Sequence, residues 1–390
     1  AAGDAMLSAI GTLTVADTGS VVAGQAATLD AGGAITLAGS VQAGTTATLD
    51  AGQSLAITPT GSVQATAGAA VLAAGSTLDV AGSASAGGDA SLTSGTSMAV
   101  SGTVQAGGTA TLTSGSWLDL WGTIVSGLDA TLSAAADLRV LPGGLVRTSG
   151  SASLAANTFL IHEGVVDADD HATLTAQQWM WLAGNVVTGG TATMTAGTEL
   201  YQFGGLVSAG GNAVLEAGTD LWLCSAGTVL ASGPATLTAG ATLLVEGTIE
   251  IDTDATLTAG QAIMVAGSGA VRAGEAATLD AAAALTIDGA VAGATGVELA
   301  AGSTLIVNAG GSVTSGADAA LVAPGPITVG GEVRADGSIT ADTPSSISVP
   351  GTIVAGTDAT LTAGQDVAVG GMVEASGTTT LEAGQAIAVG

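Results

Sequence analysis

The chain has 390 residues, 47% of them hydrophobic but only 2% aromatic, with 62 glycines. An ordinary globular core of this length would draw on far more Phe, Tyr and Trp, so the composition excludes two or three compact domains of the usual kind. With 32 acidic residues against four arginines (Arg139, Arg147, Arg272, Arg334) and no lysine, the formal net charge of −28 excludes nucleic acid and anionic membrane as partners. The single cysteine, Cys224, excludes an internal disulfide framework. It falls at an outward position and is assigned no role.

The predicted elements come in repeating order along the chain. Ala23 to Gln42 reads AGQAATLDAGGAITLAGSVQ, Ala106 to Val125 reads AGGTATLTSGSWLDLWGTIV, and Ala355 to Glu374 reads AGTDATLTAGQDVAVGGMVE. Numbering positions from the first Ala of such a unit, each carries three short runs of period two, the signature of half-buried strands. The first places an aliphatic at position 7 (Leu29, Leu112, Leu174, Leu237, Leu361). The second places a pair at positions 13 and 15 (Ile35 and Leu37, Leu118 and Leu120, Val367 and Val369). The third places a β-branched residue near position 19 (Val41, Val104, Ile124, Ile249, Val333, Ile353). Glycines near positions 2, 10 and 17 are expected to supply the corners through positive φ.

Three strands and three corners make a triangular coil. One coil alone cannot bury its apolar face, but a stack buries continuous ladders of like residues. The expected fold is all-β: a single right-handed three-faced parallel β-helix of about 19 coils, residues 1–390 forming one continuous solenoid. At about 4.8 Å per coil such a stack would run about 90 Å. No polar or helical cap is visible at either end, so the chain is expected to be a segment of a longer solenoid, with any export signal outside it.

The repeats also carry a resemblance. Segments such as Gly356 to Gln365, GTDATLTAGQ, resemble the roughly twenty-residue repeats of filamentous haemagglutinin and the large two-partner-secretion exoproteins. The resemblance implies a structural shaft of a secreted adhesin-like or fibre-forming exoprotein. It also implies an extracellular location on a bacterial surface, after export across an outer membrane. It carries over no catalytic residue.

The candidate site is aromatic. All eight aromatic side chains fall from Trp117 to Trp222. Outward position 14 carries Ile161, Trp181, Tyr201, Trp222, Leu244 and Met264 in consecutive coils, and positions 12 and 16 add Trp117, Trp121, Phe159, Trp179 and Phe203. This stripe is the expected interaction surface, for other copies of the chain, for a neighbouring surface protein, or for a glycan or lipid. By the same count His162 and Gln202 land on inward position 15, where each needs a partner; a one-residue slip would instead bury Phe159 and Ile161.

Three other readings are weaker. His162, Glu163, Asp167, Asp169, Asp170 and His171 form the one dense polar cluster, but neither histidine has a companion at ligand spacing, so no metal or other cofactor is expected. Aspartate before the first strand recurs at Asp4, Asp89, Asp129, Asp254 and Asp358, as an Asx-type corner would require. Thr-x-Thr pairs at positions 6 and 8 (Thr111 and Thr113, Thr173 and Thr175, Thr193 and Thr195, Thr236 and Thr238, Thr256 and Thr258, Thr360 and Thr362) resemble an ice-binding face, although threonine is also simply a good strand residue. Coils close to twenty residues leave no loops to wall a substrate cleft, so no enzyme is expected.

Overall fold

A computed structural model describes residues 2–390. These residues form an all-β chain without helix, a β-solenoid of about nineteen turns whose strands lie in three parallel sheets. They divide into two compact units, one ending at Met194 and one running Thr195–Gly390.

In the first unit a typical coil comprises strands Ala172–Ala176, Met180–Leu182 and Asn185–Thr188. Each strand pairs in parallel only with its equivalent one coil away: Leu154 lies opposite Leu174, Leu160 opposite Met180, and Val166 opposite Val186. The second unit repeats the plan with Ala255–Ala259, Ala262–Val265 and Ala270–Ala273. There Leu237, Leu257 and Leu279 form one ladder, Ile263 and Leu285 a second, and Ile249 and Val271 a third.

Positions 7, 13, 15 and 19 point inward, as the period-two pattern requires. The core also contains ladders of alanine at positions 5, 9 and 1, such as Ala172, Ala176 and Ala168, all buried. Alanine is the usual residue there, although Ile251, Val297 and Ile339 are buried at the same positions in other coils. Where serine or threonine takes one of these inner places, its hydroxyl stays bonded: Ser114 Oγ donates to the Trp117 carbonyl at 2.7 Å and Ser126 Oγ to Thr148 Oγ1 at 2.9 Å.

The corners work differently from the sequence expectation. Among the described residues only Gly143 and Gly205 have positive φ, so the glycine corners do not exist for left-handed backbone. They exist for close approach. The residue before the third strand is glycine throughout, from Gly19 to Gly371. At Gly102 an added Cβ would run into the carbonyl oxygens of Gly82 and Ala81 in the coil before, all of it rigid backbone. The cause is visible in the hydrogen bonds: the Val80 carbonyl accepts from both Ser101 N (3.0 Å) and Gly102 N (2.9 Å), which draws the corner onto its neighbour. The corner at position 10 is as close where glycine fills it, as at Gly115 against the Gly95 carbonyl, but there Ala135, Asn157 and Gln177 replace glycine in other coils.

The aspartates at position 4 are also not local turn formers. Each accepts from the backbone N–H at the same position of the next coil: Asp89 from Thr109 (2.8 Å), Asp129 from Ser151 (2.8 Å), Asp254 from Ala276 (3.0 Å) and Asp358 from Thr378 (2.7 Å). That N–H precedes the strand, and the carboxylate takes the place of the missing ladder partner. Asp220 and Asp366 do the same at position 12, for Thr242 and Ala386.

Candidate functional site

No one-residue slip occurs. His162 lies opposite Val140 and Leu182 on the inner side of the second face, with none of its surface exposed. Its Nε2 is 3.0 Å from the Asn185 carbonyl oxygen, so Nε2 must carry the proton and Nδ1 is bare, buried and without a partner. Burial pushes the imidazole down to about 4, the Asn185 carbonyl only partly opposing it. In the second unit Gln202, opposite Leu223, donates Nε2–H to the Thr228 carbonyl at 2.9 Å, leaving Oε1 unbonded. In both cases a polar side chain inside the coil is tethered to the head of the third strand one coil on.

The buried imidazole gives stability a defined pH dependence. An unfolded chain protonates this histidine near 6.5, whereas the folded chain resists protonation until about 4. Its folded value is lowered, so nothing is lost above 6.5, and stability falls as pH drops from 6.5 toward 4. At pH 5 the loss from this group is about 2 kcal/mol. His162→Leu, which matches Leu182 in the ladder, should therefore gain about 2 kcal/mol on the native chain between pH 7.5 and pH 5 in denaturant titrations. A gap between the two proteins that did not change with pH would place a solvated imidazole of ordinary basicity there instead.

The polar cluster around His162 does not converge. His162 is inside; His171 sits at a corner, where Nδ1 accepts from Thr191 N at 2.9 Å in place of the usual aspartate; Asp167 is bonded to Arg147 Nε at 2.9 Å. Among the described residues no three metal-ligating side chains come together.

The aromatic residues lie on the outer side of the second face of each unit. In the first unit Trp117 and Trp121 flank the strand Leu118–Leu120 and are 37% and 43% exposed. Asp119 between them pairs with Arg139 of the next coil, whose Nη2 donates to Oδ2 at 3.0 Å while Nε stands 2.6 Å from Oδ1 in a poorly aligned contact. Burial raises the Asp119 carboxyl, outweighing the pull of Arg139. The guanidinium also lies 6.0 Å from the Trp117 ring centre. Phe159 and Trp179 stack at 4.6 Å, and Ile161 and Trp181 lie side by side, all four half-buried.

In the second unit Tyr201, Trp222, Leu244 and Met264 stand in direct register down one outer column. Tyr201 meets Trp222 edge to face at 4.9 Å, Phe203 projects beside them, and Cys224, half-buried, follows Trp222 on the same face. The Tyr201 hydroxyl is raised by burial and by the charges of Glu199, Asp220 and Cys224; the Cys224 thiol is raised by burial and by Glu246.

A parallel solenoid built of aliphatic ladders, corner carboxylates and outward aromatic residues belongs with structural repeat proteins. The haemagglutinin repeat model matches seven stretches, residues 1–64, 58–140, 123–178, 182–221, 225–267, 264–323 and 307–390, and the chain belongs to the haemagglutinin-repeat family. Comparison with curated proteins and with solved structures returned no match.

Proposed function

We propose that this chain is a length of shaft from a secreted, cell-surface adhesin-like or fibre-forming exoprotein, acting through rigidity, reach and surface contact. The observation that supports this reading most is repetition without interruption: coil after coil spends its inward residues on the stack, and among the described residues no insertion builds a wall, a lid or a cleft. The haemagglutinin repeats fit the same role. The high negative charge keeps such an apolar chain dispersed outside the cell.

The test uses intact cells of the organism that makes the chain. An antibody raised against it should label unpermeabilised cells by immunogold, and added protease should remove the label. Label seen only after permeabilisation would reject the surface assignment.

A further inference from the structure

The outer column of the second unit is an exposed apolar ridge whose charged neighbours on that face, among the described residues, are all carboxylates. Phe203 is 53% exposed, Met264 39% and Trp222 38%. Strand alternation keeps Glu199 and Asp220 on the same face, two residues before Tyr201 and Trp222, and Glu246 two residues after Leu244. After burial, which is the larger cause, these charges add to the raising of the Tyr201 hydroxyl and the Cys224 thiol. Among the described residues no arginine or lysine offsets them on this face of the unit. Arg272 is bound to Glu250 at 3.1 Å on the third face, Arg334 belongs to the third-face strand Glu332–Ala335, and the chain contains no lysine. In the first unit, by contrast, Arg139 lies within the corresponding patch and is paired there.

We propose that this face, over Tyr201, Phe203, Trp222, Leu244 and Met264, docks a protein segment whose apolar side chains alternate with lysine or arginine. Apolar residues cover the ridge and remove its contact with water, where aromatic anchors contribute most. Cations at the margins meet Glu199, Asp220 and Glu246, which speeds encounter and rejects acidic partners. A second copy of the chain fails the same criterion. It would set carboxylates against carboxylates, and with a net charge of −28 it has no basic face to offer.

The probe is a fluorescein-labelled octapeptide of alternating lysine and leucine, followed by anisotropy against the whole chain in moderate salt, with a glutamate–leucine peptide as its counterpart. The lysine peptide should bind and the glutamate peptide should not. Phe203→Thr with Trp222→Thr should weaken binding about tenfold or more. Glu199→Gln, Asp220→Asn and Glu246→Gln together should weaken it by a similar factor and flatten its salt dependence. The amide oxygen introduced by Asp220→Asn keeps the acceptor that Thr242 N needs. Trp117→Thr with Trp121→Thr should leave binding unchanged. Unaltered circular dichroism and melting of each variant establish that folding is intact. Equal binding by the ring variant, or equal binding of both peptides, would reduce the effect to diffuse charge and overturn the proposal. A concentration-dependent dimer in sedimentation, abolished by the ring variant, would give the face to a second copy and overturn it equally.

Discussion

Leu174→Asp should cost about 5 kcal/mol, while Thr175→Asp, one residue along the same strand, should change stability by no more than about 0.5 kcal/mol. Leu174 is fully buried opposite Leu154, so the variant removes a packed aliphatic and leaves a carboxyl with no hydrogen-bond partner among methyl groups. Thr175 faces outward opposite Ala155, and elsewhere the same column accepts Asp30 directly beside Asp50. A repeat array need not unfold in one step, so the midpoint alone is an incomplete readout. Amide hydrogen exchange should show protection lost in the coil of Leu174 and in its neighbours, and retained in Thr175→Asp. Similar behaviour of the two variants would overturn the assignment of inner and outer faces.

The second large effect comes from the smallest substitution. Gly102→Ala should destabilise the first unit by about 3 kcal/mol, because its single methyl meets the Gly82 and Ala81 carbonyls, which belong to hydrogen-bonded backbone and cannot swing aside. Gly370→Ala is the control. No atom lies within 4 Å of a Cβ built there and its φ is ordinary, so alanine should be neutral or slightly stabilising. Thermal melts of the two variants beside the native chain decide the matter. If Gly102→Ala melted with the native protein, the corner would have slack that the double hydrogen bond on Val80 does not suggest.

Much of this architecture was legible in the sequence because a strand declares its inner side by alternation. Leu29, Ile35, Leu37 and Val41 identify three faces in one coil, and counting alone placed His162 and Gln202 indoors. Three things were not legible. The alanine ladders were hidden because alanine is common at corners and outer positions too, and a methyl group is a weak marker of burial. The role of the glycines was misassigned, since closeness between coils and left-handed φ both select glycine and only coordinates separate them. The aspartate clamps were recognised as recurrent but given the wrong partner, because the N–H that Asp89 binds belongs to Thr109, twenty residues on. For the aromatic residues, outward placement followed from register. That Arg139 lies against Trp117 while Tyr201 and Trp222 stand among carboxylates depends on side-chain packing, which no periodicity reveals.

The pairing of each strand with its equivalent in the next coil has a further consequence, for how such a chain changes over generations. Ala70 lies opposite Ala90, and Ala90 opposite Ala110; Leu72, Leu92 and Leu112 follow in the same order. Cutting out residues 86–105 would therefore bring Ala70 against Ala110 and Leu72 against Leu112, and the joined chain would meet the same partners it met before. Gly102 would vanish with its coil, leaving Gly82 beneath Gly122. Recombination between misaligned repeats of a gene removes or adds whole coils of this kind. Such events leave register untouched, whereas a cut of ten residues would set first strands against second ones. Length in this molecule can thus change in steps of one coil without loss of register, and is open to selection for distance.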